Sequence, residues 1–153
     1  MSKKIYEGTL QTKKELLDDI MVWLYELLEP YEDCPRRTRR QICVACDELF
    51  TNICSYAYDP PDSGKVLVHA EITMKEGRPM LLLRFTDQGV PYNPLERPDP
   101  DVSSGADERG IGGWGIFMVK KSMDIFTYEY KDGSNIVTIG RYVDNVEAAD
   151  ESS

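Results

Sequence analysis

The order of elements in this 153-residue chain predicts an α+β fold, a two-layer α/β sandwich. Its sheet is expected to be mixed but mostly antiparallel, with helices packed on one face. Three observations carry this. The hydrophobic period switches from helical to strand spacing after the breaker Asp59-Pro60-Pro61. The strands beyond it come in consecutive pairs joined by turn residues. The helical segments are grouped rather than alternating with strands, which disfavours repeated βαβ units.

Taken in order, residues 3–10 carry the pattern of a short N-terminal strand. Thr12-Lys13-Lys14-Glu15 has the form of a capping box, and Leu16, Leu17, Ile20, Leu24, Leu27 and Leu28 follow at helical spacing until Pro30 stops them. A second helix opens near Cys34-Pro35, where a missing N–H costs little, and runs to about Tyr58. Its apolar stripe is Ile42, Ala45, Leu49, Ile53 and Tyr56. Val66, Val68, Ala70, Ile72 and Met74 then alternate with Leu67, His69, Glu71 and Thr73, a strand with one buried face. Met80 to Thr86 is its partner through Glu76-Gly77-Arg78-Pro79. A proline-rich irregular stretch covers 91–109, and a glycine cluster leads into a helix from about Trp114 to Met123. Strands near 125–131 and 135–142 flank Asp132-Gly133, a strong hairpin signal. The domain is placed at 1–143, with an acidic tail over 144–153 that is expected to be disordered.

Composition excludes several classes. The apolar stretches are too short for a membrane-spanning helix, and the N-terminus reaches Glu7 before any apolar run, unlike a secretory signal. The chain is therefore expected in the cytoplasm. With 27 acidic against 18 basic residues, a net charge of −9, it lacks the means to track a nucleic-acid backbone. A phosphate-bearing ligand would have to be held locally, by backbone amides and a metal ion. Cys43 and Cys46 form a C-x-x-C pair, but inside a helical segment, with no second pair and with His69 far away. The four cysteines read as free thiols packed as small apolar groups.

Three local features carry chemistry. In Glu48-Leu49-Phe50-Thr51-Asn52, Glu48 and Asn52 lie one helical turn apart on one edge of the apolar stripe. An amide oxygen there can serve a hard cation and a carboxylate can take a proton; a solvated helix edge would look the same. In Asp87-Gln88-Gly89-Val90-Pro91, an acid ends a strand and can accept from a ligand amine, with Gly89 permitting close approach. An ordinary turn favours the same residues. Gly110-Ile111-Gly112-Gly113-Trp114-Gly115 opens a helix, where amides and the helix dipole suit phosphate oxygens. It is neither a P-loop nor a dinucleotide fingerprint, since no Gly-Lys-Ser/Thr follows and no strand directly precedes it.

Taken together and in order, these three motifs resemble the GHKL (Bergerat) ATP-binding superfamily over about residues 10–142. The stretches Ala45–Asn52 and Gly112–Val119 look most like the free-standing serine/threonine kinases that act as anti-sigma factors. The resemblance implies ATP and Mg²⁺ as cofactors. It makes Asn52 the Mg²⁺ ligand, Glu48 the general base and Asp87 the acceptor for the adenine amine, with Gly89 beneath it. Gly113 and Gly115 would line the phosphate side of a lid given flexibility by Gly110 and Gly112, Arg109 would reach the terminal phosphate, and Thr138 would help hold adenine. Phosphoryl transfer needs positioning and charge neutralisation above all, which such a set can supply.

By the same resemblance, the partners are a STAS-type antagonist that is phosphorylated and a sigma factor that is bound. Dimerisation would run through the N-terminal strand and first helix. Two residues depart from the family pattern. Tyr56 replaces a basic or histidine side chain, and Trp114 replaces an aliphatic one, which bears on turnover more than on binding. A histidine kinase would need a phosphoaccepting histidine on a dimerising helix, whereas the single histidine, His69, lies in a strand pattern. The alternative that stays open is a nucleotide-binding switch that sequesters a partner without turnover.

Overall fold

Among the described residues there are five strands and three α-helices: β1 (Ile5–Gln11), α1 (Leu17–Leu28), α2 (Arg36–Tyr56), β2 (Lys65–Lys75), β3 (Arg78–Asp87), α3 (Gly113–Ser122), β4 (Ile125–Lys131) and β5 (Ser134–Tyr142). They belong to a computed structural model that describes residues 4–96 and 113–145. The strands form one sheet in the order β1-β2-β3-β5-β4, and every neighbouring pair is antiparallel. The expected mixed sheet is thus wholly antiparallel among the described strands. Two tight hairpins enforce it: Glu76-Gly77 and Asp132-Gly133 each place two residues at positive φ, as a type I′ turn requires.

The sheet has one covered face. Register aligns Val68, Phe85 and Val137 in one row across it, and Ala70, Leu83 and Ile139 in the next. Against these rows pack Ile20 and Leu24 of α1, Leu49, Phe50 and Ile53 of α2, and Ile116 and Val119 of α3, all buried. Each such side chain contributes roughly 1.5–3 kcal/mol. The opposite face carries Leu67, His69, Arg84, Ile136 and Thr138 along an open groove. There both ring nitrogens of His69 meet carboxylates, Nδ1 with Glu7 at 2.8 Å and Nε2 with Glu71 at 2.7 Å.

Several local expectations change for physical reasons. Thr12 does not cap a helix; it is buried, and its Oγ1 donates to the Pro61 carbonyl at 3.0 Å and accepts from the Gly64 amide at 3.2 Å. Its hydroxyl therefore ties the end of β1 to the turn before β2, and α1 begins after a 3₁₀ turn at Lys14–Leu16. Proline stands at the N-cap of α2 rather than inside it, and the helix ends at Tyr56. Tyr56 itself leaves the apolar stripe and is 58% exposed. The last carbonyls around α1 are served from α2, since Arg39 donates to Tyr31 O at 2.6 Å and to Leu28 O at 3.3 Å. At the other end of the chain, Asp144 accepts twice from Arg78, at 2.9 and 2.7 Å, so its carboxylate is held against β3. Cys34, Cys46 and Cys54 are buried free thiols and Cys43 is half-buried. Among the described residues, no helix is long and apolar enough to cross a membrane.

Candidate functional site

The covered rows of the sheet turn polar at one end. Continuing the alternation past Phe85 and Val137 brings Asp87 opposite Asn135 in register, beside Val66. Both polar residues are almost fully buried, at 4% and 3% exposure. Polar groups in such a place must find partners, and Asn135 finds several. Its Nδ2 donates to Asp87 Oδ1 at 3.0 Å and to the Val90 carbonyl at 2.9 Å, while its Oδ1 accepts from the Tyr92 amide at 3.0 Å and the Tyr128 hydroxyl at 2.5 Å. The Gly89 amide also donates to Asp87 Oδ1, at 2.9 Å. Both bonds to Asp87 therefore fall on Oδ1, which leaves Oδ2 for a donor from outside. Burial pushes the Asp87 carboxyl above its usual range, and the bonds from Asn135 and Gly89 oppose that only in part.

Helix α2 supplies the facing wall. Asn52, Ile53 and Tyr56 border, together with Asp87, Tyr92 and Asn135, a cleft enclosing about 420 Å³ of open space. Glu48 lies one turn before Asn52, whose Nδ2 donates to Glu48 Oε1 at 3.3 Å. That orientation turns the amide nitrogen to Glu48 and leaves the Asn52 oxygen available. Glu48 itself is not in the cleft wall. Its carboxylate presses on α3, and a Cβ on Gly115 would overlap it. Glycine at 115 is thus what lets the first turn of α3 close over Glu48.

Gly89 has a comparable role toward α2. The Val90 amide donates to the Ala57 carbonyl at 2.9 Å. A Cβ on Gly89 would stand 2.7 Å from Ala57 Cβ, and closer still to that carbonyl oxygen. The close approach expected here is first of all to the protein's own backbone.

The fold thus brings together Glu48, Asn52, Asp87, Gly89 and Gly115, with Gly113 as the first residue of α3. Arg109, Gly110 and Gly112 lie outside the described residues. Thr138 does not join the cluster. On β5 it alternates to the opposite face of the sheet, where its Oγ1 accepts from Arg84 Nε at 3.2 Å. The inward polar residue of β5 is Asn135, which motif spacing missed. Counting inward by twos from Ile139 and Val137 would have found it.

Comparison with known proteins bears on the fold and the family. A family model described as "Histidine kinase-like ATPase domain" matches residues 10–141. The chain is 25% identical over 139 residues to the serine/threonine-protein kinase BtrW of Bordetella bronchiseptica, covering 91% of this chain and 94% of that protein. Among solved structures, the crystal structure of the RsbU and RsbW domains of Rv1364c from Mycobacterium tuberculosis matches 92% of this chain with a TM-score of 0.59 at 16% identity. The present chain spans only 32% of that longer one, and the likeness is one of fold. The family match runs from the end of β1 to the end of β5 and takes in both walls of the cleft, so the chain belongs to the histidine kinase-like ATPase domain family.

Proposed function

We propose that this chain is an ATP- and Mg²⁺-dependent protein serine/threonine kinase that works as an anti-sigma factor, phosphorylating a STAS-type antagonist and binding a sigma factor. The observation that carries the reading is one cleft bordered by Asn52 from α2 and Asp87 from β3, with Glu48 one turn behind Asn52. The ATPase family and the likeness to BtrW, a serine/threonine-protein kinase, support it.

The residues present suit the cofactors. A buried carboxylate with one oxygen already satisfied by two donors is a ready acceptor for the exocyclic amine of adenine. Asn52 keeps its amide oxygen for Mg²⁺. ATP supplies the transferable phosphoryl group when bound. Glu48 takes the proton of the attacking hydroxyl, and Asn135 orients Asp87. The amides at the start of α3, at Gly113 and Gly115, would hold the phosphates together with Gly110 and Gly112, and Arg109 would serve the terminal phosphate. Dimerisation is placed at β1 and α1. β1 is an edge strand, and Val22 and Tyr25 stand exposed on α1, which supports that location.

The test is γ-phosphate transfer to a STAS-type protein by wild type and Glu48→Gln, with ATP affinity measured alongside. Loss of a positioned base should slow transfer by at least about 10²-fold with ATP affinity nearly unchanged. Transfer by Glu48→Gln at the wild-type rate would remove the base from the scheme. A wild type that binds ATP but transfers nothing would leave the chain a nucleotide-dependent switch.

A further inference from the structure

Among the described residues that border the cleft, one polar side-chain atom is both fully buried and without a partner. The ring of Tyr92 borders the cleft, and the hydroxyl of that ring is fully buried without a hydrogen-bond partner. Two other phenols of this region are committed. Tyr128 donates to Asn135 Oδ1, and Tyr58 donates to the Lys65 carbonyl at 2.6 Å while accepting from the Gln88 amide at 2.9 Å. Both ends of the Asn135 amide are used and the Asn52 nitrogen turns to Glu48, and Tyr92 makes no bond to the acceptors that stay open, Asp87 Oδ2 and the Asn52 oxygen. Tyr92 is not free to swing its backbone away, because its amide is fixed to Asn135 Oδ1 at 3.0 Å. An orphan hydroxyl costs about 1–3 kcal/mol. A phenylalanine would fill the same space without that cost, so a hydroxyl here needs a partner that arrives from outside.

We infer that the Tyr92 hydroxyl recognises the bound base, donating a hydrogen bond to a ring nitrogen of adenine while Asp87 Oδ2 takes the exocyclic amine. This rests on the nucleotide-binding reading above and adds to it a second polar contact on the purine. The two contacts together match adenine, which offers amine donors beside lone-pair ring nitrogens. Guanine presents a carbonyl at the equivalent carbon and an N–H on the adjacent ring nitrogen, so the Asp87 carboxylate would face an acceptor. Tyr92 is in this view a specificity-determining residue.

The experiment is calorimetry of Mg-ATP and of its 1-deaza, 3-deaza and 7-deaza analogues with wild type and Tyr92→Phe, plus the melting temperature of each free protein. Free Tyr92→Phe should melt at or above the wild-type temperature, because a buried unpaired hydroxyl has been removed. Its affinity for ATP should fall about fivefold to twentyfold, the loss of one good hydrogen bond. One deaza analogue should bind wild type with a similar loss and lose nothing further in Tyr92→Phe. Three outcomes would overturn the inference: ATP affinity within twofold of wild type, analogues that bind both proteins with the same pattern of losses, or a free variant that melts clearly lower and so reveals an internal partner for the hydroxyl. Failure of wild type to bind any adenine nucleotide is a separate result, and it removes the proposed function itself.

Discussion

Replacing Gly89 by alanine isolates a purely structural demand in the loop after β3. The added Cβ would lie 2.6 Å from the Ala57 carbonyl carbon and 2.7 Å from Ala57 Cβ, against an ordinary contact of about 3.4 Å or more. Ala57 cannot retreat freely, since it is the C-cap of α2 and its amide donates to Ile53 O at 3.1 Å. Moving the loop away instead breaks the 2.9 Å bond from Val90 N to Ala57 O. Losing that bond costs about 1 kcal/mol, and the residual crowding adds roughly 1–3 kcal/mol. Alanine returns somewhat under 1 kcal/mol by restricting the unfolded chain. The net loss is about 1–3 kcal/mol, which at about 2–4 °C per kcal/mol lowers the melting temperature by roughly 2–12 °C. The assay is a thermal melt of the free protein, so that no ligand contact can contribute. An unchanged melting temperature would mean that the loop does not lean on α2, and the structural reason for this glycine would be wrong.

Gly115→Ala should separate stability from chemistry. Here the clash is with the tip of the Glu48 side chain, which can swing aside, and alanine favours a helix by up to about 1 kcal/mol, so melting should change little. Phosphoryl transfer should fall by at least about tenfold as Glu48 is displaced, and intact transfer in this variant would disconnect Glu48 from the reaction. Asp87→Asn should leave the free protein as stable at neutral pH or more so, because it removes a buried charge and keeps Oδ1 as acceptor, yet it should abolish measurable ATP binding. The raised carboxyl of Asp87 sets the sign of the pH dependence. Its stabilising contribution is complete below the ordinary carboxylate range and is lost as pH rises through the raised value. The stability of wild type relative to Asp87→Asn should therefore decline across that window, while ATP affinity rises across it, and opposite slopes would refute the assignment. Asn135→Ala and Thr138→Val form a contrasting pair. The first breaks a buried network and should cost about 3–5 kcal/mol along with nucleotide affinity. The second loses one bond from Arg84 on the far face and should leave ATP affinity within about twofold, costing under about 1 kcal/mol. A Thr138→Val variant that loses ATP would return that residue to the site.

Much of the fold was legible because its signals are local. The 3.6-residue stripes of α1 and α2, the alternation of β2 and the Asp132-Gly133 turn each follow from a few adjacent residues. What was not legible depends on distant partners. The Thr12 hydroxyl had two competing uses, and the turn near Pro61 and Gly64 prevailed over the capping box because the pairing of Gln11 with Lys65 brings that turn within reach. β1 reads weakly as a strand because, among the described strands, it pairs with β2 alone, some 60 residues away. Tyr56 fits the helical period of the stripe, but α2 ends there and the side chain stands at the rim of the cleft instead of in the core.

The site follows the same rule at finer scale. Glu48 and Asn52 could be paired from their spacing because one helical turn determines it, and Asp87 could be placed because a strand end is a local event. The residue of β5 that meets Asp87 depends on which face of the sheet is covered, and that is a tertiary fact. Once the helices are known to lie over Val137 and Ile139, alternation selects Asn135 and expels Thr138. The polar pair then sits where an apolar row would otherwise continue, and this is why Asp87 is both buried and held. Of the described residues bordering the cleft, none is a lysine or an arginine. In a chain of net charge −9, the proposed function would leave neutralisation of a triphosphate to the amides that open α3, a cation held through Asn52, and Arg109.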